Sequence, residues 1–242
     1  METPPETREP ARKSDCVLVV MAKAPRPGLV KTRLIRSLPA QAVTSFYRCL
    51  LDDTLALAGS LAGVETAIMC PESDVEELAV LAEPGVRVIA QNGQGLAAGL
   101  SSVFTHFAED HQRRIIAFNS DSPHLPRSVL EAAFETLAVH DLVVGPTYDG
   151  GYYLVGANRA HSSLFMRDGM GTGSALENLL SQARVLELSV GFMDPFYDID
   201  VADDLIQLAA ELEDAPAKAP RTAFWLKEWG DAITQLRTGT AD

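Results

Sequence analysis

Short apolar runs separated by longer stretches of mixed polarity recur along almost the whole chain. Residues 17–21, 64–70, 86–90, 114–119, 142–145, 152–156 and 185–188 form runs too short for a helix, and they read as buried strands. Between them, 40–61, 74–81, 96–110 and 128–138 carry apolar residues at spacings of three and four, which predicts helices. Asp74 followed by Glu77 has capping-box spacing and marks the start of the second helix. Strands alternating with helices predict an α/β fold. A mostly parallel, Rossmann-like central sheet would carry helices on both faces.

The 242 residues are 47% hydrophobic, ample for one large core. Residues 1–14 are polar and predict a disordered tail, 15–213 a single nucleotide-binding domain, and 214–242 a linker with a C-terminal amphipathic helix. On that helix Phe224, Trp225, Trp229, Ile233 and Leu236 repeat at helical spacing, a stripe suited to packing on the body or on a second copy in a homodimer. No apolar run approaches the roughly 18 residues of a membrane span, and the N-terminal stretch lacks the apolar core of a signal peptide. Cys16, Cys49 and Cys70 lack C-x-x-C spacing and read as reduced core residues. A formal net charge of −13 argues against a nucleic-acid partner. These features predict a cytoplasmic enzyme, with neither a membrane nor a nucleic acid as partner.

Against that acidic background, the loop after the first strand is basic. Ala22-Lys23-Ala24-Pro25-Arg26-Pro27-Gly28-Leu29-Val30-Lys31-Thr32-Arg33 gathers four cations, which repel one another unless something anionic lies among them. Gly28 allows close approach of backbone to ligand, while Lys31, Thr32 and Arg33 offer charge and donors to phosphate oxygens. The loop is neither a P-loop, since Val30 stands where glycine is required, nor a G-x-G-x-x-G fingerprint. It reads as a polyphosphate site, the rival being a solvated basic loop.

Asp121 emerges from the strand at 114–119, and Pro123 stops that strand. A carboxylate at the carboxyl end of a sheet is placed to hold a hard cation such as Mg²⁺, together with substrate phosphates. Its rival role is a cap for the helix near Pro126, which Ser122 could serve too. The segment 194–200 supplies Asp198 and Asp200, which face one side of an extended chain while Ile199 packs away. Asp200 is the preferred second metal ligand and Asp198 the next. Asp200, Asp203 and Asp204 could instead complement the following helix N-terminus.

Three further loops offer binding groups. Gln94 and Gly95, in a small-residue turn after the third strand, leave room for a base or ribose. Asp149, Gly150, Gly151 and Tyr152 form a hairpin turn suited to an acceptor. Thr172 and Ser174, in a glycine-rich loop before a helix, could receive an anionic acceptor. His124 lies close enough in sequence to Asp121 to reach a substrate; the other histidines have no metal spacing. No G-x-S-x-G element is present, so an acyl-transfer hydrolase is not indicated.

In chain order these blocks are A-K-A-P-R-P-G-x-x-K-T-R-L, S-D-S-P-x-L-P, G-P-T-Y-D-G-G-Y-Y-L-V-G, and D-x-D before a helix. Over residues 17–208 the chain resembles the DUF2064 group, the transferase 1 family associated with radical-SAM/selenodomain proteins, in the nucleotide-diphospho-sugar transferase superfamily. More distantly it is similar to 2-phospholactate guanylyltransferases and molybdenum-cofactor nucleotidyltransferases. The resemblance implies a GT-A fold, dependence on Mg²⁺ or Mn²⁺, and a nucleotide-activated substrate. By motif it places Lys23, Gly28, Lys31 and Arg33 in the phosphate loop, Asp121 at the metal position and Asp200 at the second-metal position. The chain departs from the family at Met170-Gly171-Thr172, where many members carry a Trp-Ser-Thr-like element.

The expected activity is nucleotidyl transfer from a nucleoside triphosphate to a small phosphorylated or carboxylated acceptor. Lys31, Asp121 and Asp200 would be its catalytic residues. The phosphate loop with Ala22, Gln94 and Gly95 would bind the nucleotide. Glycosyl transfer from a nucleotide sugar and a non-catalytic nucleotide-binding module are the alternatives.

Overall fold

The computed structural model describes residues 14–107, 113–161, 163–165 and 174–238. Apart from Ser14, the expected N-terminal tail lies outside them. Strands β1 (Cys16–Met21), β2 (Val64–Cys70), β3 (Arg87–Ala90), β4 (Arg114–Asn119), β5 (Leu142–Pro146), β6 (Tyr152–Ala157) and β7 (Val190–Phe192) form one sheet, in the order β3-β2-β1-β4-β6-β5-β7. The sheet is mostly parallel; β6 alone runs against its neighbours β4 and β5. A turn at Asp149-Gly150, with Gly150 at φ +87°, closes the β5–β6 hairpin, as the Asp-Gly pair predicts.

Alternation along β1 divides the core. Leu18 and Val20 face a layer built from α1 (Ala40–Gly59), α2 (Val75–Leu81) and α4 (Arg127–Thr136). Val17 and Val19 face the other layer, from α3 (Gly95–Phe107) and α5 (Ala175–Val185). Residues of β1 are buried on both faces, which is why the strand reads as an unbroken apolar run.

A third cluster joins the outer side of α1 to α6 (Ala202–Asp214), α7 (Pro220–Glu228) and α8 (Gly230–Thr238). The expected single C-terminal helix is therefore two, preceded by one 3₁₀ turn at Pro216–Lys218. The buried carboxylate of Asp53, on α1, accepts hydrogen bonds from the Thr222 and Arg221 amides at 2.8 and 3.3 Å and caps α7. Trp225 packs 4.8 Å from Phe46 and donates its indole N–H to Ser45 Oγ at 2.8 Å. The stripe thus packs on the body through Trp225 and Ile233, while Phe224 points away and is 67% exposed.

Two local expectations are overturned. The segment 185–188 is not a strand: the Leu186 and Leu188 amides donate back to Gln182 and Ala183, at 3.0 and 2.9 Å. The helix and its closing turn consume those donors, Glu187 adopts φ +55°, and the edge strand begins at Val190. A short, mostly apolar run such as Val185-Leu186-Glu187-Leu188 fits a helix end as well as a strand. Nor does Asp74 cap α2. Its carboxylate reaches instead to the loop after β1, where a backbone amide and a guanidinium are stronger partners.

Cys16 and Cys49 are half-buried, Cys70 is buried, and all three are free thiols. No described helix is long and apolar enough to cross a membrane.

Candidate functional site

In strand order the sheet turns at β1: β2 and β3 lie on one side and β4 on the other. Open α/β sheets bind ligands at such a reversal, beyond the carboxyl ends of the strands. A cavity of about 990 Å³ opens there. It is lined by the loop after β1 (Ala22, Lys23, Lys31, Thr32, Arg33), the turn before α3 (Gly93, Gln94, Gly95, Leu96), and Ser120, Asp121 and Asp200.

Gly28 turns the first loop at φ +80°, and Lys31 follows at φ +46°, a left-handed conformation uncommon for residues other than glycine. That geometry carries the Lys31 side chain inward until it is only 4% exposed. Its ammonium lies 2.8 Å from Asp121 Oδ2 and 3.0 Å from Asp200 Oδ1. Burial by itself would lower the Lys31 pKa; the charges of Asp121 and Asp200 outweigh it and hold the amine protonated. Arg33 reaches the other oxygen of Asp200 at 3.2 Å. Lys23 is exposed at the cavity wall.

Arg26 belongs to this loop in sequence but not to the cavity lining. Its guanidinium is held by Asp74 at 2.8 Å and Glu77 at 2.9 Å, and donates to the Ser73 carbonyl. Together with the 2.9 Å bond from the Ala24 amide to Asp74, these contacts anchor the loop on α2.

The acidic side is assembled from two distant segments. Neither Asp121 nor Ser122 caps α4, which has no side-chain cap. Ser122 is fully buried and donates to the Tyr197 carbonyl at 3.3 Å, tying the end of β4 to the segment 194–200. That segment is drawn alongside β5 and β6 as the Phe196 amide bonds Pro146 and the Tyr153 hydroxyl bonds Asp194. Asp204 settles the competing role at the start of α6: its carboxylate accepts from both the Asp200 and Val201 amides at 2.8 Å. The Asp200 side chain is thereby free to face Lys31 and Arg33, while Ile199 is fully buried on the opposite side.

Asp121, Asp198 and Asp200 converge, one carboxylate oxygen from each lying within 4.8 Å of the others. Burial, followed by the negative charge of Asp200, pushes the Asp198 carboxyl up to about 6. Three oxygen donors carrying incompletely relieved negative charge fit a hard divalent cation such as Mg²⁺ or Mn²⁺.

Tyr47 supports both halves and went unnoticed in the sequence because it sits on the apolar face of α1. Its buried hydroxyl accepts from the Lys23 amide at 3.0 Å and lies 3.2 Å from both the Lys23 carbonyl and Ser120 Oγ. Burial pushes the phenol up to about 12, so it serves as a neutral hydrogen-bonding strut. Thr54, also on α1, donates to the Ser120 carbonyl at 3.3 Å. A hydroxyl recurring within an apolar helical face was the available signal.

The expected acceptor residues stand apart from this cavity. Asp149 accepts from Thr147 and from the Gly151 amide within its own turn, and the Gly150 carbonyl accepts from Leu176 at the start of α5. Tyr152 packs against the core beneath the sheet. Ser174 is exposed just before α5, and Thr172 lies outside the described residues. Asp149 is nonetheless near enough to Asp198 to contribute to its raised pKa.

His124 is not among the residues lining the cavity. It is 1% exposed, its ring centroid lies 4.8 Å from that of Phe196 and 4.6 Å from that of Tyr197, and neither nitrogen has a hydrogen-bond partner.

This is the fold of nucleotide-diphospho-sugar transferases and related nucleotidyltransferases. Residues 54–172 match the family model DUF2064, described as an uncharacterized protein conserved in bacteria. That match contains Asp121 and the D-G-G-Y-Y block but neither the basic loop nor Asp198 and Asp200.

A provisionally assigned nucleotide-diphospho-sugar transferase from Desulfovibrio desulfuricans G20 is 26% identical, with a TM-score of 0.82 over 92% of this chain and 98% of its own. The 4-diphosphocytidyl-2C-methyl-D-erythritol synthase of Anaerococcus prevotii DSM 20548 is 10% identical, with a TM-score of 0.56 over 82% and 96% of the two chains. A nucleotidyl transferase from Methanothermobacter is 16% identical, with a TM-score of 0.53 over 82% and 98%. At the latter two identities the likeness is one of fold. No curated protein matches the chain by sequence.

Proposed function

We propose that this chain is a metal-dependent transferase acting on a nucleotide-activated donor, and that it moves a nucleotidyl group from a nucleoside triphosphate to a small phosphorylated or carboxylated acceptor. The observation that carries this reading is the meeting of Asp121, Asp198 and Asp200 with Lys31 and Arg33 at one end of a cavity of about 990 Å³.

Asp121, Asp198 and Asp200 would hold a divalent cation, which supplies neutralising charge to phosphate oxygens when bound. Lys23, Lys31 and Arg33 offer further positive charge to the phosphates, and the turn at Gly93–Leu96 leaves space for base and ribose. An acceptor phosphate or carboxylate oxygen attacks the α-phosphorus, the bond to the β-phosphate oxygen breaks, and pyrophosphate leaves. Such an acceptor is already anionic at neutral pH, so the attack requires no protein base. The contribution of the chain is positioning and electrostatic stabilisation.

Glycosyl transfer from a nucleotide sugar is a second reading, supported by the assignment of the Desulfovibrio protein as a nucleotide-diphospho-sugar transferase. Thermal unfolding with Mn²⁺ and each nucleoside triphosphate, compared with a panel of nucleotide sugars, separates the two. A ligand at a hundred times its dissociation constant stabilises the fold by about 2.7 kcal/mol. A metal-dependent shift with a triphosphate is expected. A shift with nucleotide sugars alone would transfer support to glycosyl transfer, and no shift with either would overturn the transferase reading.

A further inference from the structure

We propose that Lys31 is a resident counter-ion, holding the cation position among the site carboxylates until the phosphates of a nucleotide draw its ammonium away. Metal and nucleotide binding then depend on each other. This inference rests on the metal-dependent reading above and adds an order of events to it.

The placement of the ammonium carries the argument. It sits within 3.0 Å of two of the three clustered carboxylates, almost removed from solvent, and donates to one oxygen of each. A cation entering between Asp121 and Asp200 would meet the ammonium already bonded to both carboxylates. Two cations beside the same carboxylates would repel at close range, so the free protein presents a site already neutralised in part.

The backbone is committed to this arrangement. Lys31 and Glu187 are the only non-glycine residues with positive φ among the described residues, and Glu187 merely closes the turn after α5. A left-handed lysine persists only when its surroundings over-determine it, and here the side chain it delivers is the one between the carboxylates.

The identity of the side chain fits release as well as retention. A lysine ammonium is a compact charge on a flexible four-carbon stem, able to swing to a phosphate without moving the backbone. Arg33, on the same loop, is exposed and bonds the far oxygen of Asp200, so that carboxylate keeps a cationic partner when Lys31 leaves. Linkage makes the effect reciprocal: if nucleotide improves metal binding by removing Lys31, metal improves nucleotide binding by the same factor.

The test is Mn²⁺ binding to the full chain without nucleotide, followed by the loss of the free-ion electron paramagnetic resonance signal. Lys31→Met removes the charge and keeps the stem, and is expected to bind Mn²⁺ about tenfold or more tightly than the unmodified protein. Lys31→Arg keeps the charge and should bind as weakly as the unmodified protein. Lys31→Gln serves as a second neutral variant should the methionine variant fail to fold by circular dichroism.

Equal affinity in the neutral variants and the unmodified protein would overturn the counter-ion role while leaving the metal site standing. Tightening in Lys31→Arg to the same degree would also overturn it, because charge would not be the cause. Absence of Mn²⁺ binding in every form would overturn the inference together with the metal site, and thermal shifts with nucleotide would show whether the nucleotide reading survives alone.

Discussion

Asp74, at the start of α2, holds Arg26, in the loop after β1, by a charge-assisted bond of 2.8 Å. The same carboxylate accepts the Ala24 amide, so one side chain positions the loop at both backbone and guanidinium. Asp74→Asn keeps the shape but loses the charge. The expected result is a loss of about 1–2 kcal/mol in stability by urea unfolding, with weaker nucleotide binding as the loop loosens. An unchanged urea midpoint would show that the loop is held by other contacts.

Asp121→Asn removes one carboxylate charge from the cluster and one partner from Lys31. Metal-dependent turnover should fall by about a hundredfold or more, while the circular dichroism spectrum stays native. A variant with normal metal-dependent turnover would remove Asp121 from the site chemistry.

Asp53→Ala uncovers the N-terminus of α7 and leaves two amides at a buried junction without their acceptor. A loss of about 1–3 kcal/mol is expected in urea unfolding. Because Trp225 packs against Phe46 and stacks on Trp229, tryptophan fluorescence should report the loosening. Fluorescence and urea midpoint both unchanged would mean that α7 docks by packing alone.

Burial of His124 by itself weakens the fold in acid. Burial lowers its pKa from 6.5 to about 4, and neither ring nitrogen has a partner to stabilise the charged form. Below about pH 6.5 the unfolded chain takes up a proton that the folded chain refuses. Its contribution to stability is therefore complete above pH 6.5 and declines as the pH falls towards 4, by about 3 kcal/mol in all. His124→Phe keeps an aromatic ring between Phe196 and Tyr197 and should flatten this part of the pH–stability curve. Stability measured from pH 7 to pH 4 checks it; identical curves would exclude His124 as the source.

Much of this architecture was legible in the chain. The apolar runs at β1, β2 and β4 match strands of the sheet because both faces of each are covered, leaving little freedom in which residues appear there. The basic loop and the aspartates at 121, 198 and 200 were recognisable because charge is scarce at the end of a buried strand and needs a partner.

Other features depended on competition between distant segments. Asp74 fits a helix cap by spacing, yet Ala24 and Arg26, some fifty residues earlier, offer it better partners. Asp200 and Asp204 are equivalent in local pattern. In the fold Asp204 takes the cap, and Asp200 turns to Lys31 and Arg33, some 170 residues earlier. Tyr47 looked like one more apolar position of α1 until β1 and β4 brought Lys23 and Ser120 to its hydroxyl.

Sequence by itself determined six of the seven strands, which loops carry charge, and therefore at which end of the sheet the charged loops would gather; these follow from local period and from the need to bury apolar surface. Only the tertiary structure decided the pairings: Lys31 with Asp121 and Asp200, Arg26 with Asp74, Asp53 with the start of α7. A hydrogen bond or ion pair goes to whichever partner folding brings within about 3 Å, and no periodicity along the chain encodes that distance.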